Sequence, residues 1–195
     1  MPMSDKEIFA KLIDLIQLDA DAVGLYTKAL EHIEDDPDVV ADLESFRADH
    51  ERHIEDLSQC VIDLGGEPPP VDRDLKGALL EVVTAVRSAT GTKGALKAMR
   101  SNEKLTNKTY EKAAELEFPE AAAVIVAKNL LDERRHLTMI ETHLDRMKEE
   151  PAEDQERRAA GEAGEQPPEG VAVEEEVVVI ESEPEQPPSS SPPRT

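Results

Sequence analysis

Hydrophobic residues recur at helical spacing along most of the first 150 positions of the chain. The first stripe follows a Ser-x-x-Glu capping box at residues 4–7, a sequence that begins helices because its side chains satisfy free backbone N–H groups. The apolar positions of this stripe fall on one helical face: 12, 15, 16, 22, 23, 26, 30 and 33. They predict a first helix that ends near residues 35–37, where Asp36 can cap a second helix and Pro37 can occupy its first turn.

Glycine and proline divide the rest of the pattern into further helices. The second helix is predicted to run to Leu64, because Gly65-Gly66 and the prolines at 68–70 follow it. Three more helices are predicted from the apolar spacing: a short one at about 74–90, and long ones at about 93–117 and 119–150. No strand is predicted before residue 151. This order predicts an all-α, antiparallel four-helix bundle whose short crossover helix is a candidate lid over one end.

The composition changes after residue 150. Residues 151–195 hold 12 acidic residues, 3 basic residues and 8 of the 14 prolines, and they contain no aromatic residue. Such a segment buries too little apolar surface to offset the entropy lost on folding. We therefore predict one domain at 1–150 and a disordered, acidic, Pro-rich tail at 151–195. The segment 171–183 (VAVEEEVVVIESE) is either part of that disorder or a short docking motif that adds a strand to a partner's sheet.

Charge and hydropathy exclude several classes of function. The formal net charge is −22, which argues against nucleic acids and anionic membranes as partners, because both need a basic surface. No apolar run approaches the length of about 18 residues that crosses a bilayer, and the N-terminus lacks the features of a secretion signal. The single cysteine, Cys60, allows no internal disulfide and no CxxC site, so we predict a cytoplasmic protein with Cys60 buried.

In each long helix, ionisable residues interrupt the apolar stripe. These interruptions fall at about the same height along the predicted bundle. These residues are Asp19 in the first helix, His50 and His53 in the second, Glu103 in the third, and Glu133 and His136 in the fourth. Burying an unpaired carboxylate is strongly unfavourable. Because all four long helices place such groups at this height, we predict that the groups meet around cations. A pair of divalent metals would supply the compensating charge.

An internal repeat supports this interpretation. Each of the two tyrosines follows a carboxylate by seven residues, about two helical turns: Asp19 and Tyr26, then Glu103 and Tyr110. The segment DHERHIEDL at 49–57 aligns with DERRHLTMI at 132–140. The first two long helices therefore look like a duplicate of the last two.

This pattern resembles the ferritin-like superfamily, which includes ferritin, bacterioferritin and rubrerythrin, and especially uncharacterised bacterial bundles with such a crossover helix. The di-metal signature of that superfamily is a Glu from each of two helices and Glu-x-x-His from each of the other two. The second half of the chain matches it fully with Glu103, Tyr110, Glu133 and His136. The first half departs twice, because Asp19 replaces a Glu and His50 replaces the Glu that would precede His53.

The resemblance implies a metal site and the residues that form it. The implied ligands are Asp19, His50, His53, Glu103, Glu133 and His136, with Tyr26 and Tyr110 as hydrogen-bond donors to ligand carboxylates. The implied metal is iron, as a di-iron site, with manganese or zinc as alternatives. His50 removes one bridging carboxylate, although imidazole also suits iron and zinc. A homodimer is implied as well, because ferritin-like bundles often dimerise.

Three functions remain open from the sequence. The first is a ferroxidase- or peroxidase-type oxidoreductase that oxidises Fe(II) with O₂ or peroxide. The second is a protein that only binds iron, manganese or zinc. The third is a metal-free structural or interaction bundle whose acidic tail recruits a partner protein.

Other ionisable residues near the candidate ligands have simpler interpretations. Asp49, Glu51 and Asp132 are interpreted as solvated, with Glu51 as an alternative bridging carboxylate. His143 is interpreted as a surface residue, with a metal role as the alternative because it lies two turns after the last candidate histidine. Asp21 is an alternative to Asp19 as the candidate ligand of the first helix, but it lies off the apolar stripe.

Overall fold

The described part of the chain is predominantly helical. A computed structural model describes residues 3–33, 36–70 and 80–149, and within them the chain forms five helices and no strand. The helices are α1 (Asp5–Leu30), α2 (Pro37–Asp63), α3 (Leu80–Arg87), α4 (Gly91–Ala114) and α5 (Glu120–Glu149). The all-α prediction is confirmed for these residues. The predicted tail at 151–195, its segment at 171–183 and residues 74–79 of the crossover helix lie outside them.

The predicted capping residues begin α1 and α2 and end α2. The Glu7 carboxylate accepts hydrogen bonds from the backbone N–H and the hydroxyl of Ser4 at 2.8 and 2.6 Å. The Asp36 side chain accepts from the N–H of Val39 at 3.3 Å and caps α2. Gly65 follows α2 at a φ of 86°, a left-handed conformation that glycine adopts without strain.

Three predicted helix boundaries are shifted in the structure. The first helix ends at Leu30 instead of near residue 35. The N–H groups that follow bond to carbonyls three residues back, as Ile33 does to Leu30 at 3.3 Å, so the chain leaves the helix in a tighter turn. The helix predicted at 93–117 begins at Gly91 and ends at Ala114. Gly91 is the first residue of α4, at a φ of 63°.

Each long helix packs against two of the other three long helices. The interior between them holds two apolar clusters. Helices α1 and α5 both contact α2 and α4, while α3 contacts α4 and α1. The Phe46 cluster includes Tyr26, Leu43, Phe46, Met99 and Ile140. The Leu57 cluster includes Leu12, Ile16, Leu57, Tyr110 and Val126.

The order of the two clusters along the chain gives the direction of each helix. The Leu57 cluster comes first along α1 and α5, whereas the Phe46 cluster comes first along α2 and α4. Every long helix therefore runs opposite to its two long neighbours. Val83 and Val86 of α3 add to the Phe46 cluster, so the described part of the crossover helix packs at that end of the interior. The level between the two clusters is where the ionisable residues lie.

Candidate metal centre

The structure brings all six predicted ligand residues together in the interior. Each has an exposed fraction of 0%: Asp19 on α1, His50 and His53 on α2, Glu103 on α4, and Glu133 and His136 on α5. The placement follows from the sequence, because each residue occupies a core-facing position between two apolar stretches of its helix. Packing of the four helices then brings the interruptions to one level.

The six residues form two overlapping groups, each compact enough to hold a metal ion. One group is Asp19, His50, His53 and Glu133, and the other is His50, Glu103, Glu133 and His136. Within each group the ligand atoms lie within 4.8 Å of one another. His50 and Glu133 belong to both groups. Each group therefore has one carboxylate and one imidazole of its own, and the two groups share a second carboxylate and a second imidazole.

The shared imidazole of His50 lies between the carboxylates of the two groups. Its Nδ1 is 2.9 Å from Asp19 Oδ1 and 3.5 Å from Glu133 Oε1. Its Nε2, on the other edge of the ring, is 3.8 Å from Glu103 Oε1. His53 lies in the first group, with Nδ1 at 3.4 Å from Glu133 Oε1. These distances make the centre one continuous cluster of donors.

Each tyrosine hydroxyl forms a hydrogen bond with a carboxylate from the other half of the chain. Tyr26 on α1 donates to Glu103 Oε1 on α4 at 2.7 Å, and Tyr110 on α4 donates to Asp19 Oδ2 on α1 at 2.6 Å. Each tyrosine thus donates to the carboxylate in the other half of the repeat, and its hydrogen-bond partner is not the carboxylate seven residues before it. Burial and the nearby carboxylates raise the pKa of both phenols well above the ordinary value, so both hydroxyls stay protonated and donate.

Asp49 and Asp132 contact two of the histidines, so their interpretation as solvated residues is wrong. His136 Nε2 lies 3.1 Å from Asp49 Oδ2, and His53 Nε2 lies 3.3 Å from Asp132 Oδ2. Their side chains are only 17% and 15% exposed. The periodicity of one helix missed these contacts because the histidine in each pair comes from the neighbouring helix. A carboxylate on the outer nitrogen fixes the ring orientation and leaves Nδ1 for the interior.

Two arginines join these aspartates on the side of the centre towards solvent. Arg52 Nη2 donates to Asp49 Oδ1 at 2.6 Å and to Asp132 Oδ2 at 2.9 Å. Arg135 Nη2 donates to Asp49 Oδ2, and its Nη1 lies 3.1 Å from Asp132 Oδ1. We call these four residues the outer charge ring. Its arginine side chains are 33% and 50% exposed, so the ring separates the buried histidines from water.

Two asparagines that the sequence interpretation missed also hold the centre in place. Asn107 Nδ2 donates to the backbone carbonyls of Glu103 and Glu133 at 2.9 and 2.8 Å, which joins α4 to α5 at the level of the ligands. Asn129 Nδ2 lies 3.3 Å from the Tyr110 hydroxyl oxygen, to which it donates. The signal for both was their position, four residues after Glu103 and four before Glu133 on the same apolar stripes.

Burial and mutual charge shift the pKa values of the ligand residues. Burial raises the pKa of Glu133 above its ordinary value. Burial also disfavours protonation of His50 and His53, but the surrounding carboxylates outweigh it. The pKa of His50 is raised well above its usual range, and that of His53 is raised to about 9. In the metal-free protein, protonated imidazoles therefore supply the positive charge that the buried carboxylates need.

Several buried ligand atoms have no hydrogen-bond partner among the described residues. They are Nε2 of His50, Nδ1 of His53, Nδ1 of His136, and Oε1 and Oε2 of Glu133. Buried polar atoms without partners are rare in folded proteins, because each loses its hydrogen bonds with water. Imidazole nitrogens and carboxylate oxygens are also the donors that iron, manganese and zinc accept. The residues present therefore fit metal ions in both overlapping groups.

The remaining candidates from the sequence lie outside both groups. Glu51, proposed as an alternative bridging carboxylate, belongs to neither group. Asp21 is buried at 7% exposure and also belongs to neither. His143 is 6% exposed with its Nε2 at 2.6 Å from Asp42 Oδ2, so its interpretation as a surface residue is wrong. Cys60 is buried, as predicted.

Comparison with known proteins identifies a helical family. The profile of the family described as "Domain of unknown function (DUF2383)" matches residues 7–116, more than half of the chain. The match spans α1 to α4 and ends before α5. The family is a helical domain of ferritin-like type. No curated protein matches the chain, and none of the described helices is long and apolar enough to cross a membrane.

Proposed function

Because this chain belongs to the DUF2383 family of helical domains, we propose that it is a ferritin-like, non-haem metal-binding protein. The proposed metal is iron, with manganese as the alternative, bound at the buried carboxylate and histidine centre. The proposed activity is the oxidation of Fe(II) with O₂ or peroxide.

The observation that carries this proposal is the set of buried ligand atoms without partners. Both carboxylate oxygens of Glu133 lack a hydrogen bond among the described residues, although the side chain is fully buried. The Nδ1 atoms of His53 and His136 also lack one, while their Nε2 atoms face outer aspartates. Without metal, these atoms have only longer ion-pair contacts, such as that of Glu133 Oε1 with His53 Nδ1 at 3.4 Å, and each hydrogen bond that is not formed lowers stability. A cation would satisfy all of these atoms together.

The two overlapping groups define which residues would hold the metal. Asp19 and His53 would bind on one side, Glu103 and His136 on the other, and His50 and Glu133 contact both sides. Two ferrous ions held there would supply two electrons, and with two protons these would suffice to reduce one peroxide molecule to two water molecules.

The surrounding residues hold protons and exclude water. The hydroxyls of Tyr26 and Tyr110 keep their protons and each fixes one oxygen of a ligand carboxylate. The outer charge ring fixes the rings of His53 and His136 through their Nε2 atoms. Apolar clusters lie on both sides of the centre along the helices, which lowers the local dielectric and strengthens electrostatic contacts with a bound cation.

We also propose that the four long helices form a bundle of the ferritin and rubrerythrin type. The supporting observations are the two long neighbours of each helix and the opposite directions of those neighbours. The long connection between α2 and α4, which contains α3, agrees with a bundle that has one crossover. The homodimer implied by the resemblance and the docking role of residues 171–183 stay predictions.

Elemental analysis of protein purified without chelator tests the proposal most directly. We expect one to two iron or manganese ions per chain in the wild type and none in a Glu133→Gln/His136→Gln variant. His143→Gln is the matched control, because it changes a buried histidine of the same helix that lies outside both groups. This control variant should keep the metal content of the wild type.

The oxidation step needs a second measurement. Anaerobic protein loaded with Fe(II) should oxidise it faster than buffer does after O₂ or peroxide is added, and the double variant should not. Metal binding without faster oxidation would reduce the proposal to a metal-binding protein. No metal in the wild type after reloading with Fe(II), Mn(II) and Zn(II) would overturn both parts and favour a structural or interaction bundle.

A further inference from the structure

The three histidines of the centre are not equivalent. His53 and His136 each turn Nε2 towards an aspartate of the outer charge ring and Nδ1 towards the interior. Each of these rings therefore has one nitrogen available for a metal. The ring of His50 contacts neither outer aspartate, and its exposed fraction is 0%. Both of its nitrogens lie inside the cluster of ligand residues.

The two nitrogens of His50 face different metal-binding groups. Nδ1 is 2.9 Å from Oδ1 of Asp19, which belongs only to the first group. Nε2 has no hydrogen-bond partner among the described residues and is 3.8 Å from Oε1 of Glu103, which belongs only to the second group. The ring thus spans from one group to the other.

We propose that His50 bridges two metal ions as an imidazolate, an inference that rests on the proposed metal-binding function. Its Nδ1 binds the metal that Asp19 and His53 hold, and its Nε2 binds the metal that Glu103 and His136 hold. Each ring nitrogen releases the proton that it carries to solvent as its bond to metal forms, so the imidazolium of the metal-free protein loses two protons in all. No electron is transferred in this step.

Charge balance supports the bridge. The three buried carboxylates of the centre carry three negative charges, from Asp19, Glu103 and Glu133. An imidazolate at His50 adds a fourth, and two divalent cations carry four positive charges. Net charge in a buried site is costly, because the low dielectric does not screen it. The histidine at position 50 therefore restores, once two metals are bound, the charge that a glutamate would have supplied.

Nuclear magnetic resonance of the full chain, loaded with spin-active cadmium, tests the bridge. Histidine labelled with spin-active nitrogen reports each ring nitrogen separately, because a nitrogen bound to cadmium is split by one-bond coupling. We expect coupling at both nitrogens of one ring and at one nitrogen of two other rings, four coupled nitrogens in all. His53 and His136 are internal controls, since their Nε2 atoms should keep a proton and show no cadmium coupling.

The outcomes separate the bridge from the proposed function. Cadmium bound per chain is measured in the same sample by elemental analysis. Two cadmium ions with only three coupled nitrogens, and a proton on one nitrogen of every ring, would overturn the bridge and leave metal binding intact. No bound cadmium would overturn both. A His50→Glu variant should keep two cadmium ions and fall from four coupled nitrogens to two, which assigns the doubly coupled ring. The count of coupled nitrogens in the wild type decides the question even if that variant does not fold.

Discussion

Tyr26 on α1 donates a 2.7 Å hydrogen bond to Glu103 on α4, a residue 77 positions further along the chain. Both side chains are fully buried. The phenol leaves the second carboxylate oxygen of Glu103 to face His136, whose Nδ1 is 3.7 Å away. One hydroxyl therefore both compensates a buried charge and orients the carboxylate towards the centre. The corresponding contact of Tyr110 with Asp19 repeats this arrangement on the other side.

Replacing Tyr26 with phenylalanine should destabilise the metal-free protein without removing its metal site. The change leaves the ring in place and removes one hydrogen bond to a buried carboxylate, a loss of about 1.5–3 kcal/mol in the free energy of unfolding. Urea denaturation in the presence of chelator measures it. Tyr110→Phe should give a similar loss, because its hydroxyl has the equivalent partner. Loss of bound metal in either variant would contradict the assignment of the tyrosines as hydrogen-bond donors only.

Neutralising the outer aspartates should weaken metal binding although neither aspartate belongs to a metal-binding group. Asp49→Asn and Asp132→Asn change the partner of a histidine Nε2, which lowers the basicity of the ring and loosens its orientation. We expect each to reduce metal affinity by about 10–100-fold, measured by competition with a chelating dye. Asp14→Asn is the control, because Asp14 forms only an exposed pair with Lys11. Equal affinities in all three variants would show that the ring does not position the histidines.

Removing metal should lower the thermal unfolding temperature. A ligand that binds only the folded state at about 100 times its dissociation constant adds about 2.7 kcal/mol of stability. The Glu133→Gln/His136→Gln variant should show no difference between chelator and added metal. Differential scanning calorimetry of both proteins in both conditions makes the comparison. A wild-type midpoint that does not respond to metal would count against binding to the folded state.

The Leu57 cluster should contribute strongly to stability. Leu57 is 0% exposed, and its replacement with alanine should cost about 2–5 kcal/mol, because the side chain leaves a cavity. Leu131 is 65% exposed, and Leu131→Ala should change stability by less than about 0.5 kcal/mol. Urea denaturation of the two variants beside the wild type provides the test. A small loss for Leu57→Ala would mean that the cluster can close around the missing atoms.

The burial of the six candidate ligand residues was predictable from the sequence because they break a strong pattern. Asp19 and Glu103 are charged residues at positions where helical spacing calls for apolar ones, and all six candidates are buried in the structure. The repeat added a second signal, since it placed a carboxylate, a tyrosine and a histidine at matching distances in both halves. Both signals are read from spacing along the chain, so they need no knowledge of how the helices pack.

The contacts between helices were not predictable in the same way. Asp49 lies next to the candidate ligand His50 in sequence, and its helical position suggests the outer side of α2. Only the placement of α5 beside α2 brings His136 Nε2 to 3.1 Å from it. The hydrogen-bond partners of the tyrosines could not be predicted for the same reason. Residue spacing shows which face of a helix a residue occupies, but not which residue of a neighbouring helix packs against that face. The early end of α1 at Leu30 reflects a local turn that no glycine or proline marks in the sequence.

The crossed contacts have a consequence for the origin of the centre. Each half of the chain supplies the tyrosine for the other half's carboxylate, and each supplies the outer aspartate for the other half's histidine. A single helical hairpin would therefore contain ligands without the groups that orient them. If the repeat arose by gene duplication, the ancestral hairpin would have acquired these contacts only by pairing with a second copy of itself. In the present chain the two halves are complementary but not interchangeable, since position 50 carries a histidine where the matching position 133 carries a glutamate.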